Sequence, residues 1–210
     1  MQMPISELDA DGAIQAFYDE FPGLSGLHII HAPSQESFYG HNASVTALGF
    51  RIKGAFLPKT RELHLPLANF RDLGELRQSL QHEALGHYGL LTFTNAEKRA
   101  LLSLIILARD APSMQRDWDH VERAYAEQSD LMKAEEVYCL AAERVACDVS
   151  EPSNADLNFA RVWDEIVVKR TRRCEREDLQ IIANFVASGL RNGTRAQTIF
   201  PANDQAQFDE

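Results

Sequence analysis

Two histidines five residues apart, in the stretch His82-Glu83-Ala84-Leu85-Gly86-His87-Tyr88-Gly89-Leu90, constrain this chain more than any other feature. Two imidazoles on a helix, with a carboxylate beside the first and small residues between, are how a protein holds a zinc ion next to a general base. The commoner pattern sets the histidines four apart, about 40° around a regular helix; five apart, they diverge by about 140°. Rings diverging that far cannot both reach one ion at about 2.0–2.1 Å. A π-type turn absorbs the extra residue and returns both rings to one face, and such turns occur mostly at functional sites. Gly86, just before the second histidine, makes the distortion cheap. The spacing therefore predicts a bulged helix, opened by Asp72 with Glu75 three residues on and given a buried side by Leu76, Leu80 and Leu85.

The chain has 210 residues, the length of one domain with a tail, and its 45% hydrophobic content is enough for a packed core. The formal net charge of −10, with no large basic block, argues against nucleic acid as the main partner. Met1 to Leu8 has neither a basic nor an apolar signal region, and no apolar run reaches membrane-spanning length. Cys139, Cys147 and Cys174 are too few and too odd for a disulfide framework, which points to a reducing, cytoplasmic setting. None forms a C-x-x-C pair, so a cysteine zinc site is not expected.

Taken in order, residues 10–20 read as a short helix ended by Pro22-Gly23, and Leu27 to Ala32 as a strand whose His28 and His31 are ordinary strand residues. Residues 34–50 are ambiguous. Lys53–Leu57 and Glu62–Leu67 form a hairpin around Pro58-Lys59-Thr60, and Pro66 places the second strand at a sheet edge or end. An unpaired edge beside a metal helix would suit an extended peptide. Thr94 with Glu97 caps a helix to about Arg109, and residues 116–127 make another, which carries His120.

The helix from Asp130 to about Asp148 has a broad apolar stripe of Leu131, Ala134, Tyr138, Ala141 and Val145, widened by Cys139 and Leu140. The pair Glu135-Glu136 within so apolar a helix needs a reason, and a metal ion supplies one. Periodicity puts Glu135 nearer the stripe than Glu136. Beyond Pro152, residues 155–170 and 176–190 form a helical pair, with the basic cluster Lys169–Arg173 between them as a solvated helix end. Residues 193–210 lose periodicity and turn polar, as a flexible tail would.

Gly54-Ala-Phe-Leu-Pro-Lys-Thr-Arg-Glu-Leu-His-Leu, the His82–Leu90 stretch, and Glu135-Glu136 with Ala142-Glu143 resemble the zincin-like metallopeptidase domains of large polyvalent proteins of phages and conjugative elements. The H-E-x-x-x-H helix followed by a Glu-Glu helix is also similar to dipeptidyl peptidase III, a gluzincin. That resemblance implies that the second glutamate, Glu136, is the third zinc ligand. It departs from this family where Cys139 replaces an alanine and where Leu140 replaces an acidic residue, whose steadying role Glu143 is placed to take.

The expectation is thus an α+β, zincin-like domain over residues 1–192: a small N-terminal sheet with an edge strand, then a mainly helical remainder, with core 27–146. Its function would be zinc-dependent peptide hydrolysis, with Zn²⁺ on His82, His87 and Glu136 and Glu83 as general base. Tyr88, His120 and Tyr138 are candidate oxyanion donors. The partner would be a peptide or protein substrate, with neither nucleic acid nor membrane, and the oligomeric state is left open. The alternatives are a non-catalytic zincin-like interaction module of a mobile element and another zinc hydrolase such as an amidase.

Overall fold

Ser6 opens the first helix, α1 (Glu7–Glu20), by accepting a hydrogen bond from the Asp9 amide, and Ala10, Ile14 and Phe17 form its buried stripe. A 3₁₀ turn (Pro22–Leu24) leads to strand β1 (His28–Ala32), followed by the short helix α2 (Gln35–Tyr39). Strands β2 (Ala55–Leu57) and β3 (Glu62–Pro66) form the expected hairpin, its turn eased by Arg61 in the left-handed region at φ 57°. This computed structural model describes residues 5–40, 51–146 and 152–199. The ambiguous 41–50 stretch, Cys147, the expected helix end at Asp148 and residues 200–210 lie outside the described residues.

The three strands run in the order β1-β3-β2, with β3 parallel to β1 and antiparallel to β2. This corrects the placement of Glu62–Leu67 as an edge: β3 is the central strand, and β2 is the edge nearer the histidine helix. Pro66 is tolerated because it is the last residue of β3, opposite Ala32, where the ladder ends. Leu63 and Leu65 alternate inward and are fully buried.

After the sheet, the regular elements among the described residues are all helical. The histidine helix consists of α3 (Leu73–Leu80), a π-helical segment (Gln81–His87) and a last turn, α4 (Tyr88–Leu90). Next come α5 (Asn95–Leu107), α6 (Gln115–Ala124), α7 (Asp130–Ala142), α8 (Pro152–Trp163), continued by a second π-helical segment (Asp164–Val168), and α9 (Arg176–Arg191). The architecture is α+β, a small sheet with a mainly helical remainder. None of the described helices is long and apolar enough to cross a membrane.

The caps explain the boundaries. Asp72 accepts from the Glu75 amide at 2.8 Å, Thr94 and Glu97 close a reciprocal capping box, and Ser129 accepts from Met132. Each cap stabilises its helix by about 1 kcal/mol. Leu76, Leu80 and Leu85 are buried, as is the apolar face of α7, so these two helices pack face to face with α9 behind them. Fully burying each such leucine contributes roughly 1.5–3 kcal/mol.

Residues 194–199, expected to begin a free tail, run back across this body. The Arg195 guanidinium lies over the rings of Phe93 and Phe185 and donates to the Thr92 hydroxyl and carbonyl, while the Thr198 and Ile199 amides donate to Leu91.

Candidate metal centre

The π-helical segment falls between the two histidines, as their spacing requires. The Tyr88 amide donates to the Glu83 carbonyl, an i→i+5 bond, and both rings come to the side that faces α7. Gly86 has a different use from the one expected. Its backbone is not in a left-handed conformation, so no special φ demands glycine there. A Cβ at this position would lie 2.6 Å from the Cys139 sulfur and 3.1 Å from the Cys139 Cα. Gly86 lets the π-helical segment and α7 approach closely enough for side chains from both to meet at one point.

At that point each imidazole is held through its Nδ1 nitrogen. His82 Nδ1 is 2.7 Å from Glu143 and His87 Nδ1 is 2.9 Å from Glu135, which fixes both rings and leaves both Nε2 atoms facing Glu136. His82 Nε2 is 3.3 Å from one Glu136 oxygen and His87 Nε2 is 3.5 Å from the other. Neither contact has hydrogen-bond geometry on the first of these oxygens, Oε2, which is buried without a hydrogen-bond partner among the described residues. Two donors about 2.0–2.1 Å from a tetrahedral ion stand about 3.3–3.4 Å apart, close to these two separations. Cys139, one turn further along α7, also belongs here: His82, His87 and Cys139 have donor atoms within 4.8 Å of one another and form a possible metal-binding group.

Both glutamates of the pair are therefore in use. Glu136 faces the Nε2 atoms, while Glu135 bonds the back of His87 and pairs with Lys98 of α5 at 2.9 Å. Burial alone would raise the Glu135 pKa, but Lys98 and His87 hold it down at about 2. Glu143 also accepts from Gln78.

Glu83 is almost fully buried, and its carboxylate accepts the Phe56 amide of β2 at 3.0 Å. Gly54 allows that contact, because a Cβ there would lie 2.6 Å from the Ser79 hydroxyl and 3.0 Å from a Glu83 oxygen.

The candidate oxyanion donors separate. Tyr88 is buried against Phe56, and Tyr138 is buried with its hydroxyl unpartnered, near Arg195. Neither lines the cleft of about 1720 Å³ above the site, whereas His120 does. Tyr125, which closes α6 and which the sequence places with Trp118 and Val121 on the apolar side of that helix, also lines the cleft, with its hydroxyl directed at Glu136. Burial, and then the Glu136 charge, push its pKa up, so it stays a hydrogen-bond donor.

Burial alone would lower the histidine pKa values, but the surrounding glutamates outweigh it: His87 is raised above its ordinary 6.5 and His82 well above. In the metal-free protein the imidazolium–carboxylate pairs thus contribute stability below about pH 6.5, and this is lost as pH rises through the folded-state values. A metal must displace those protons. Adding zinc to weakly buffered protein near neutrality is expected to release protons, and affinity is expected to rise with pH. A pH indicator during titration checks this; zinc binding without proton release would show that the rings were already neutral.

No protein-family model matches the chain, and no solved structure matches it. The chain is 35% identical, over 99% of its own length, to DNA primase TraC of Escherichia coli, and it spans 15% of that relative. This overturns the expectation of a zincin-like metallopeptidase acting on peptides, together with the interaction-module and amidase alternatives. The relative's name is that of an enzyme of DNA, so the expected absence of a nucleic-acid partner falls as well. The physical reason for the error is that a metal-ligand pattern specifies how an ion is held and says nothing of the molecule brought to it.

Proposed function

We propose that this chain is a zinc-holding domain of a DNA primase-type protein, acting in primer synthesis on DNA. The observation that carries this reading is the match to DNA primase TraC along nearly the whole chain. His82, His87 and Glu136 are the ligands. Two imidazoles and a carboxylate suit zinc, whereas magnesium takes oxygen ligands in octahedral geometry. Phosphoryl and nucleotidyl transfer commonly use paired, oxygen-held ions, so this ion stands apart from such a centre and serves beside it. Glu136 is preferred to Cys139 as third ligand because its two carboxylate oxygens lie 3.3 and 3.5 Å from the two Nε2 atoms.

When bound, zinc supplies Lewis acidity at the cleft floor. The chain's own groups do the remainder. Glu135 and Glu143 orient the rings. Glu83, held by the β2 amide, is a proton acceptor beside the ion that does not ligate it, and Tyr125 donates from the opposite side.

The test uses the natural full-length protein. His82→Ala with His87→Ala is expected to remove zinc and to lower labelled-nucleotide incorporation on a single-stranded template by at least about 10-fold, in the range lost when metal sites are disturbed. Undiminished primer synthesis in protein shown to lack zinc would overturn the reading.

A further inference from the structure

Two basic features stand outside the metal centre. The cluster between the last two helices, which the sequence makes conspicuous, is partly spent internally: Lys169 pairs with Asp164, and Arg172 with Glu165 and Asp178. The other feature is scattered in sequence and contiguous in space. Arg116, His120 and Arg123 fall at i, i+4 and i+7 on α6, within about 60° of one another around the axis. All three are exposed and all three line the cleft over the metal centre. Among the described residues neither arginine has a carboxylate partner, and Arg123 donates only to the Asp119 carbonyl.

The other charges of the cleft sharpen the contrast. Lys53 is paired with Glu75, Lys98 with Glu135, and Arg144 and Arg176 both with Asp117. The carboxylates left over, Glu83, Glu136 and Glu143, surround the histidines and the ion those residues would hold. Among the described residues, what remains along the rim is cationic: Arg116 and Arg123 of α6, and Arg51 on the segment leading to β2. The acidic residues of α6 do not cancel it. Asp117 is engaged by Arg144 and Arg176, Glu122 pairs with Arg109, and Asp119 keeps its charge but, like Glu122, does not line the cleft.

Unpaired guanidiniums in a row are a phosphate-binding device, since each offers a planar fork of donors. From Arg116 to Arg123 the helix advances about 10 Å, enough to reach successive phosphates of an extended single strand. We infer that the α6 row binds the phosphodiester backbone of single-stranded DNA and leads the strand across the metal cleft. This deepens the DNA primase-type reading and rests on it for the choice of polymer. Contacts of this kind position a strand and carry no base preference.

The test is anisotropy of a fluorescent oligothymidylate with the zinc-loaded protein over a series of salt concentrations. Arg116→Ala with Arg123→Ala is expected to weaken binding at least about 10-fold and to reduce the magnitude of the salt slope by about 1.4, two phosphate contacts at about 0.7 each. Arg170→Ala with Arg173→Ala, which removes two charges away from the cleft, is expected to leave both quantities close to their starting values. Equal losses from the two pairs would reduce the effect to overall charge and overturn the assignment, as would an absence of binding at low salt. An oligouridylate that bound more tightly than the oligothymidylate would transfer the site to RNA. Retained zinc and primer synthesis alongside a failed binding test would discard the α6 row and keep the proposed function.

Discussion

Replacing Glu136 by alanine is expected to lower zinc affinity by more than about 100-fold, beyond the roughly 10–100-fold expected for Glu135→Ala or Glu143→Ala. The three changes remove carboxylates from the same crowded point, but they act at different atoms. Glu136 faces both Nε2 atoms, at 3.3 and 3.5 Å, so its loss removes a ligand. Glu143 and Glu135 hold the Nδ1 atoms, so their loss frees a ring to turn without removing a donor to the ion. Competition titration with a zinc chelator gives all three affinities on one scale. Glu135→Ala falling furthest would move the ligand role to Glu135 and break the geometric argument.

The second large effect lies in the packing that creates the site. Gly86→Ala places a methyl group 2.6 Å from the Cys139 sulfur and 3.1 Å from its Cα, where the neighbour is partly backbone and cannot simply swing away. Overpacking of this kind costs about 1–3 kcal/mol, and the π-helical segment must withdraw from α7, separating the histidines from Glu136. Chemical denaturation should show the loss of stability, and zinc titration a loss of affinity with every ligand still present. Adding Cys139→Ala removes the sulfur and should restore part of the stability, leaving the longer contacts to the Cβ at 3.0 Å and the Cα at 3.1 Å. A Gly86→Ala protein with unchanged stability and affinity would mean that the two helices are not packed as described.

Much of this was legible locally. Asp72 with Glu75 and Thr94 with Glu97 mark helix starts because capping is a three-residue event, and the five-residue histidine spacing calls for the π-helical segment by geometry alone. What was not legible depends on distant partners. The order β1-β3-β2 requires β1 to lie beside β3 across more than twenty intervening residues, and nothing within Glu62–Pro66 records that. Gly86 was noticed, but its reason sits on Cys139 of another helix.

The candidate site divides in the same way. The residue types that ligate metals declare themselves, while the duties of Glu135, Glu136 and Glu143 follow only from which imidazole nitrogen each one meets. Tyr125 falls on the apolar side of its helix with Trp118 and Val121, a pattern that marks packing and does not show that its hydroxyl reaches Glu136. A net charge of −10 sums a whole surface and cannot show that, among the described residues, Arg116 and Arg123 line a cleft without carboxylate partners.

The central claim is that one zinc ion is held by His82, His87 and Glu136. X-ray absorption at the zinc edge of the metal-loaded protein tests it most directly. The expected spectrum has only nitrogen and oxygen neighbours, at about 2.0–2.1 Å, with the multiple scattering of two imidazoles. A sulfur neighbour at about 2.3 Å would make Cys139 a ligand and contradict the assignment.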